Sequence, residues 1–349
     1  MKATKKVIGN LEKCYALAPL TYQGKKHMLV AAEKINQCRL YDLEGNLCDT
    51  IWEEPGGTMS MVQVPGSDGE FIATHKFYSP NNSKEAKLVL ASPSKDGWNI
   101  KTIAELPFVH RFDIITRNEI NYVIACTLKS GHEYKEDWRF PGKVQVCVLP
   151  KDLSQVNEEN PLKFHVIKDN MLKNHGYSKA ETDGVERSFV ASNEGIFCFT
   201  PPTTKDGAWE IEQLIDEPSS DVTMVDFDHD GEKEMLTISP FHGNHIYIYK
   251  KDSDGKYQKI YTYEKEIEFA HAIWGGEICG KQGALIGHRK GDRDLLLFTC
   301  TDPEKLTFRA EMLDHDVGPA NVLHYEENGK DYVLSANREV NEIALYELN

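Results

Sequence analysis

The chain repeats one pattern seven times, and this period constrains its fold more than any other feature. An apolar run, a polar turn, a second apolar run ending on a small residue and a polar loop recur along it. The copies are "PLTYQGKKHMLVAAEK", "VQVPGSDGEFIATHK", "DIITRNEINYVIACTLK", "KAETDGVERSFVASNEG", "VDFDHDGEKEMLTISPF", "GGEICGKQGALIGHRKG" and "LHYEENGKDYVLSANRE". Aligned on the small residue, the anchors are Ala31, Ala73, Ala125, Ala191, Thr237, Gly287 and Ser335, spaced 42, 52, 66, 46, 50 and 48 residues apart. A period near 50 over the whole chain marks an array of similar units. A third apolar strand follows each anchor, such as "IYIYKK" or "IALYEL", and most repeats have a fourth. Strand-length runs rich in β-branched and aromatic residues, separated by Gly, Asn and Asp turns, predict four-stranded antiparallel meanders. Seven such sheets around an axis make an all-β fold, the seven-bladed β-propeller, which protects its strand edges by radial repetition. The last repeat ends at "NEIALYELN" with three strands, while the chain begins with the spare strand "TKKVIGN". The N-terminal strand is therefore expected to complete blade seven, making residues 1–349 a single propeller domain.

Charge and composition narrow the partners. Forty basic against fifty-five acidic residues give a net charge of −15, which argues against nucleic acid, since phosphate binding needs a basic stripe. No stretch approaches the roughly 18 apolar residues of a membrane span. The start, "MKATKKVIGNLEK", lacks the apolar core of a secretory signal, and eight cysteines are scattered without a CxxC pair. Reduced thiols and a cytoplasmic location are the expectation.

Blade five carries "DFDHDGEKE", in which Asp226, Asp228 and Asp230 precede Gly231 and Glu234. Alternate side chains of a tight loop converge on one hard cation, and the glycine permits the sharp turn. The loop joins two strands and resembles the FG-GAP repeat of integrin-type propellers, where the likeness implies a structural Ca²⁺ between the first and second strands. The other blades have degenerate turns such as "GSDGE" and "EENGK".

Counting back 15 or 16 positions from each anchor gives the residue opening the innermost strand: Tyr15, Gly57, His110, His175, Asp221, His271 and Pro319. Three of these seven are histidine, from only 13 in the chain, and the repeat would point them at a common funnel. A second polar set follows the anchors: His75 and Lys76, then Lys129, His132 and Tyr134, then His242 and His245, His288 and Arg289, Asn337 and Arg338, with Arg111 beside His110. Both sets lie on one face in a meander, opposite the acidic loop. Concave mouths with convergent polar groups are where ligand sites form.

Imidazoles serve as acid or base near neutrality, and guanidiniums hold carboxylates and stabilise enolates. No G-x-S-x-G, H-E-x-x-H, Walker or dinucleotide motif is present. Proton abstraction beside a carbonyl or carboxylate, followed by β-elimination or isomerisation, fits these groups; a divalent ion such as Zn²⁺ or Mg²⁺ on the histidines is a second route to the same chemistry. Blade three, "HRFDIITRNEINYVIACTLKSGHEYKEDWRFPGKV", and the C-terminal "DHDVGPANVLHYEENGKDYVLSANREVNEIALYEL" resemble the propeller portion of aldos-2-ulose dehydratase and, more distantly, propeller-type sugar lyases. The resemblance implies catalysis by His110, His175, His242 and His271. It leaves His75, Arg111, Lys129, His132, Tyr134, His288, Arg289, Asn337 and Arg338 to bind a small sugar or oligosaccharide. The chain lacks a cupin-like extension, which sets a two-step dehydratase and isomerase activity in question. Two rival readings are a glycoside hydrolase using paired carboxylates, against which Asp221, Glu133, Glu194 and Glu339 on the shared face form no obvious pair, and a non-catalytic scaffold binding protein or glycan.

Overall fold

The computed structural model describes residues 1–35 and 37–349. Among these the chain forms seven four-stranded antiparallel sheets, the blades of a β-propeller, and no helix. No helix of the described residues is long and apolar enough to cross a membrane. Contacts divide the chain into two compact bodies. One contains Leu11–His175 and Thr200–Glu210; the other contains Met1–Asn10, Gly176–Phe199 and Ile211–Asn349.

The first body holds blades one to three, opening at Cys14–Tyr22, Met61–Gln63 and Val109–Arg117. In blades two and three the second strand is the most deeply buried. Phe71–His75 is buried throughout, and so are the last eight residues of Ile120–Lys129, because this strand is covered on both faces. Close backbone packing fixes the small residues. A Cβ at Gly142 would stand 1.8 Å from the Thr127 carbonyl oxygen. Gly142→Ala is expected to lower stability by about 2–3 kcal/mol through overpacking. Urea unfolding reads this directly, and unchanged stability would show that the strand pair can spread.

The second body holds blades four to seven. Blade seven takes its outer strand from the other end of the chain: Ala3–Asn10 pairs antiparallel with Glu342–Leu348, from Ala3 opposite Leu348 to Asn10 opposite Glu342. Lys2 and Asn349 exchange two backbone hydrogen bonds of 2.9–3.0 Å beyond it. The closure expected from the spare N-terminal strand is therefore present. The blade-six anchor shows why this repeat position is small. A Cβ on Gly287 would meet Pro319 side-chain atoms at 2.8 Å and Ala272 Cβ at 3.0 Å, because the first strand of the next blade packs onto it. A core of Val225, Phe227, Leu236, Ile248, Ile286 and Phe298 joins blades five and six.

All eight cysteines are free, five of them buried, while Cys48 is exposed. Burial pushes the Cys126 thiol up to about 12, so it packs as an apolar group and not as a nucleophile.

Candidate functional site

The innermost strands begin with a recurrent backbone device. Two residues before the innermost position the chain turns left-handed, at Lys13 (φ 52°), Gly57 (φ 79°), Phe108 (φ 64°) and Lys173 (φ 52°) in the first body. The same happens at Phe269 (φ 59°) and Gly318 (φ 62°) in the second. The residues delivered are Tyr15, Met59, His110 and His175, then His271 and Ala320. Pairing slips at Tyr15, His110, His271 and Ala320, where the register jumps from Cys14 to Ala16, Val109 to Arg111, Ala270 to Ala272 and Pro319 to Asn321. Such a bulge leaves one residue outside the ladder and re-aims its side chain. The inner position in blade two is thus Met59, two beyond Gly57, and in blade seven Ala320, one beyond Pro319. A phenylalanine held at positive φ costs conformational energy, and such strain gathers where a neighbouring group must be positioned.

In the first body His110 and His175 meet with ring centroids 4.4 Å apart, and Phe77 packs edge-on to His110 at 5.0 Å. His110 Nδ1 lies 3.2 Å from the His175 carbonyl oxygen. A carbonyl only accepts, so Nδ1 carries the proton and the lone pair resides on Nε2. Arg111 donates to the Met59 carbonyl at 2.8 Å and lies 5.8 Å from the Tyr15 ring centroid.

The second polar set of this body is more enclosed than a loop. Lys129 is the last residue of its strand, fully buried, with Nζ 4.1 Å from the Trp138 ring centre. It donates to Asn81 Oδ1 at 3.2 Å and to the Asp137 carbonyl at 2.9 Å. Burial holds its pKa below the ordinary lysine value despite the nearby Glu136 and Asp137 carboxylates. His75 is packed inside blade two with its ring 4.6 Å from Trp52, and its Nε2 has no hydrogen-bond partner. Burial, helped by Lys87 and Lys76, lowers its pKa to about 3, so it is a neutral imidazole at physiological pH. His132 faces Phe108 edge-on at 6.0 Å, and Tyr134 is 59% exposed beneath the Arg139 guanidinium.

In the second body the tight turn after Ser239 presents Phe241 and His242. Gly243 allows it, since a Cβ there would stand 2.2 Å from the Ser239 carbonyl oxygen. The Gly243 carbonyl accepts the Ala270 N–H at 2.9 Å, which ties this turn to the first strand of blade six. The result is a stack of rings. Phe241 lies 3.9 Å from His242, His242 lies 4.3 Å from Phe269, and His242 and His271 are 5.4 Å apart. One ring nitrogen of His242 comes within 4.8 Å of one of His271. His271 is buried, and its Nδ1 lies 2.7 Å from the Ala320 carbonyl, which fixes the same tautomer as in His110.

Charged groups line this stack. The Arg289 guanidinium sits 4.9 Å from the Phe269 ring centre, with Lys290 at 5.3 Å. Arg289 pairs with Glu339 at 2.8 Å and Arg338 pairs with the same carboxylate oxygen at 2.7 Å. Burial alone would raise the Glu339 pKa, but the two guanidiniums outweigh it and the net shift is downward. His288 and Asn337 are engaged in holding the blades. His288 Nδ1 reaches the Lys290 carbonyl at 2.9 Å while its Nε2 accepts the Asp294 N–H at 3.1 Å. Asn337 bonds Ser335 and the Tyr346 hydroxyl at 2.7 and 3.0 Å.

The acidic loop of blade five folds into the expected turn. Asp226 accepts the N–H groups of Asp230 and Gly231 at 3.1 and 3.2 Å, and Glu234, fully buried, accepts that of Phe227 at 2.8 Å. A group the spacing did not reveal lies among these carboxylates: Lys250 Nζ, within 2.6–2.9 Å of Asp228, Asp230 and Glu234. Phe269 was also missed: the left-handed positions are Lys, Gly or Phe, so no shared residue type marks them in the aligned repeats.

No family model matches the chain, and no curated protein matches it. Among solved structures it is similar to the β-propeller domain of Cps50 (Swd1) from Myceliophteria thermophila, with a TM-score of 0.62 and 8% sequence identity over 99% of this chain and 100% of that one. At that identity the likeness is one of fold: the chain is a β-propeller.

Proposed function

We propose that the protein is a carbohydrate-active lyase or dehydratase whose proton-transfer groups are the imidazoles of blades five and six. One observation carries the reading: the Ala320 carbonyl holds His271 as the Nδ1–H tautomer, and a second imidazole, His242, stands within 4.8 Å. His271 Nε2 is then a base. It removes a proton from the carbon beside a carbonyl or carboxylate, the C–H electrons form the new double bond, and the C–O bond at the next carbon breaks. The departing oxygen takes a proton from the His242 imidazolium. Arg289 and Arg338, which grip one carboxylate in Glu339, supply the chemistry to hold a uronate in its place. Two imidazoles so close also fit part of a Zn²⁺ ligand set, whereas Mg²⁺ prefers oxygen. Zinc bound there would polarise the substrate carbonyl.

The second reading is a scaffold that binds protein or glycan without chemistry. It is favoured by the pairing of both guanidiniums with Glu339, which gives each of them a carboxylate partner within the protein. A panel of keto-sugars and uronate oligosaccharides, with and without added zinc, separates the two. The lyase reading expects new ultraviolet absorbance from a conjugated enone or enoate. Folded protein that yields none across the panel would leave the scaffold.

A further inference from the structure

The acidic loop of blade five brings ligand oxygens of Asp226, Asp228 and Glu234 within 4.8 Å of one another, as a calcium site would, yet a lysine amine already stands among its carboxylates. Lys250 lies on the third strand of the blade, one step beyond the Met235–Tyr249 pair and hence beside Glu234. Its ammonium has three N–H donors and finds three carboxylates, Asp228 at 2.9 Å, Asp230 at 2.6 Å and Glu234 at 2.7 Å. A Ca²⁺ ion needs six to eight oxygens at about 2.3–2.6 Å and would have to share this space with a like charge. We infer that Lys250 is the cation of this loop, a side chain standing where the sequence spacing calls for calcium, so that the wild-type blade folds without metal.

The surrounding chemistry agrees. Each N–H of the ammonium has its own carboxylate acceptor within 2.9 Å, so the charge of the amine is compensated inside the loop. Asp226 is occupied by backbone N–H groups instead, which keeps the turn shaped.

Removing the amine should, in turn, convert the loop into a calcium site. Thermal unfolding of the full chain is compared in excess EDTA and in millimolar CaCl2. The wild-type Tm should be the same in both. Lys250→Ala should lose about 5–10 °C in EDTA, because it leaves buried carboxylates unpaired, and calcium should restore most of it. A variant that is soluble only when produced with calcium would support the inference equally. A wild-type Tm that rises with calcium, by an increment that Asp230→Asn abolishes, would overturn it. So would a Lys250→Ala protein that is destabilised and indifferent to calcium. If Lys250→Ala cannot be obtained under either condition, the wild-type comparison with Asp230→Asn decides alone.

Discussion

His271→Asn should lower the rate of elimination by about 10²–10⁴-fold while leaving the fold in place. Asparagine keeps a donor where Nδ1–H now reaches the Ala320 carbonyl at 2.7 Å, so the bulged strand retains its anchor. What it lacks is the lone pair on Nε2, and with it the base. Substrate affinity should change little, because Arg289 sits on another strand and Arg338 in the turn that follows Asn337. The effect should therefore fall on kcat and not on KM. Steady-state kinetics on whichever substrate gives a conjugated product reads this split, with the unfolding midpoint as a control. A full-rate His271→Asn enzyme would move the base elsewhere, first to His110, which has the same tautomer at the equivalent place in blade three.

The second large effect concerns acid stability. His75 titrates at 6.5 when unfolded but only at about 3 when folded. A group whose folded pKa is depressed contributes stability that is fully present above 6.5 and is lost as pH falls toward 3. The whole shift corresponds to roughly 5 kcal/mol, of which about 2 kcal/mol is lost by pH 5. His75→Leu removes the titration and fills much of the same space beside Trp52. Urea unfolding at pH 7 and pH 5 should show the wild type losing about 2 kcal/mol more than the variant across that interval. Equal losses would mean that His75 takes up a proton in the native state and is not sealed in blade two.

The blades were legible because their signal is periodic. Each small anchor marks a close approach between strands, as the Gly287 contact with Pro319 makes plain. The missing strand of blade seven could be read for the same reason. The polar residues after the anchors were harder to place. The second strands run past the anchor, to His75, Lys129, Lys290 and Asn337, so several groups taken for loop residues are the last residues of a strand covered on both faces. In such a strand alternation of polar and apolar residues is lost, and with it the usual clue to which side chains face water. Lys250 escaped notice for another reason. It sits 16 residues from Glu234 in sequence but beside it across the sheet, and that proximity depends on register, not on motif spacing.

The proposed chemistry turns on one proton. Long-range ¹H–¹⁵N spectra of protein labelled at histidine nitrogens, with His271→Asn used for assignment, report which ring nitrogen of His271 is protonated and whether a uronate perturbs the other. The Nδ1–H tautomer is expected in the neutral imidazole, with the Nε2 resonance shifting as the uronate saturates. An Nε2–H tautomer, or an Nε2 signal unmoved by saturating ligand, would contradict the proposed base.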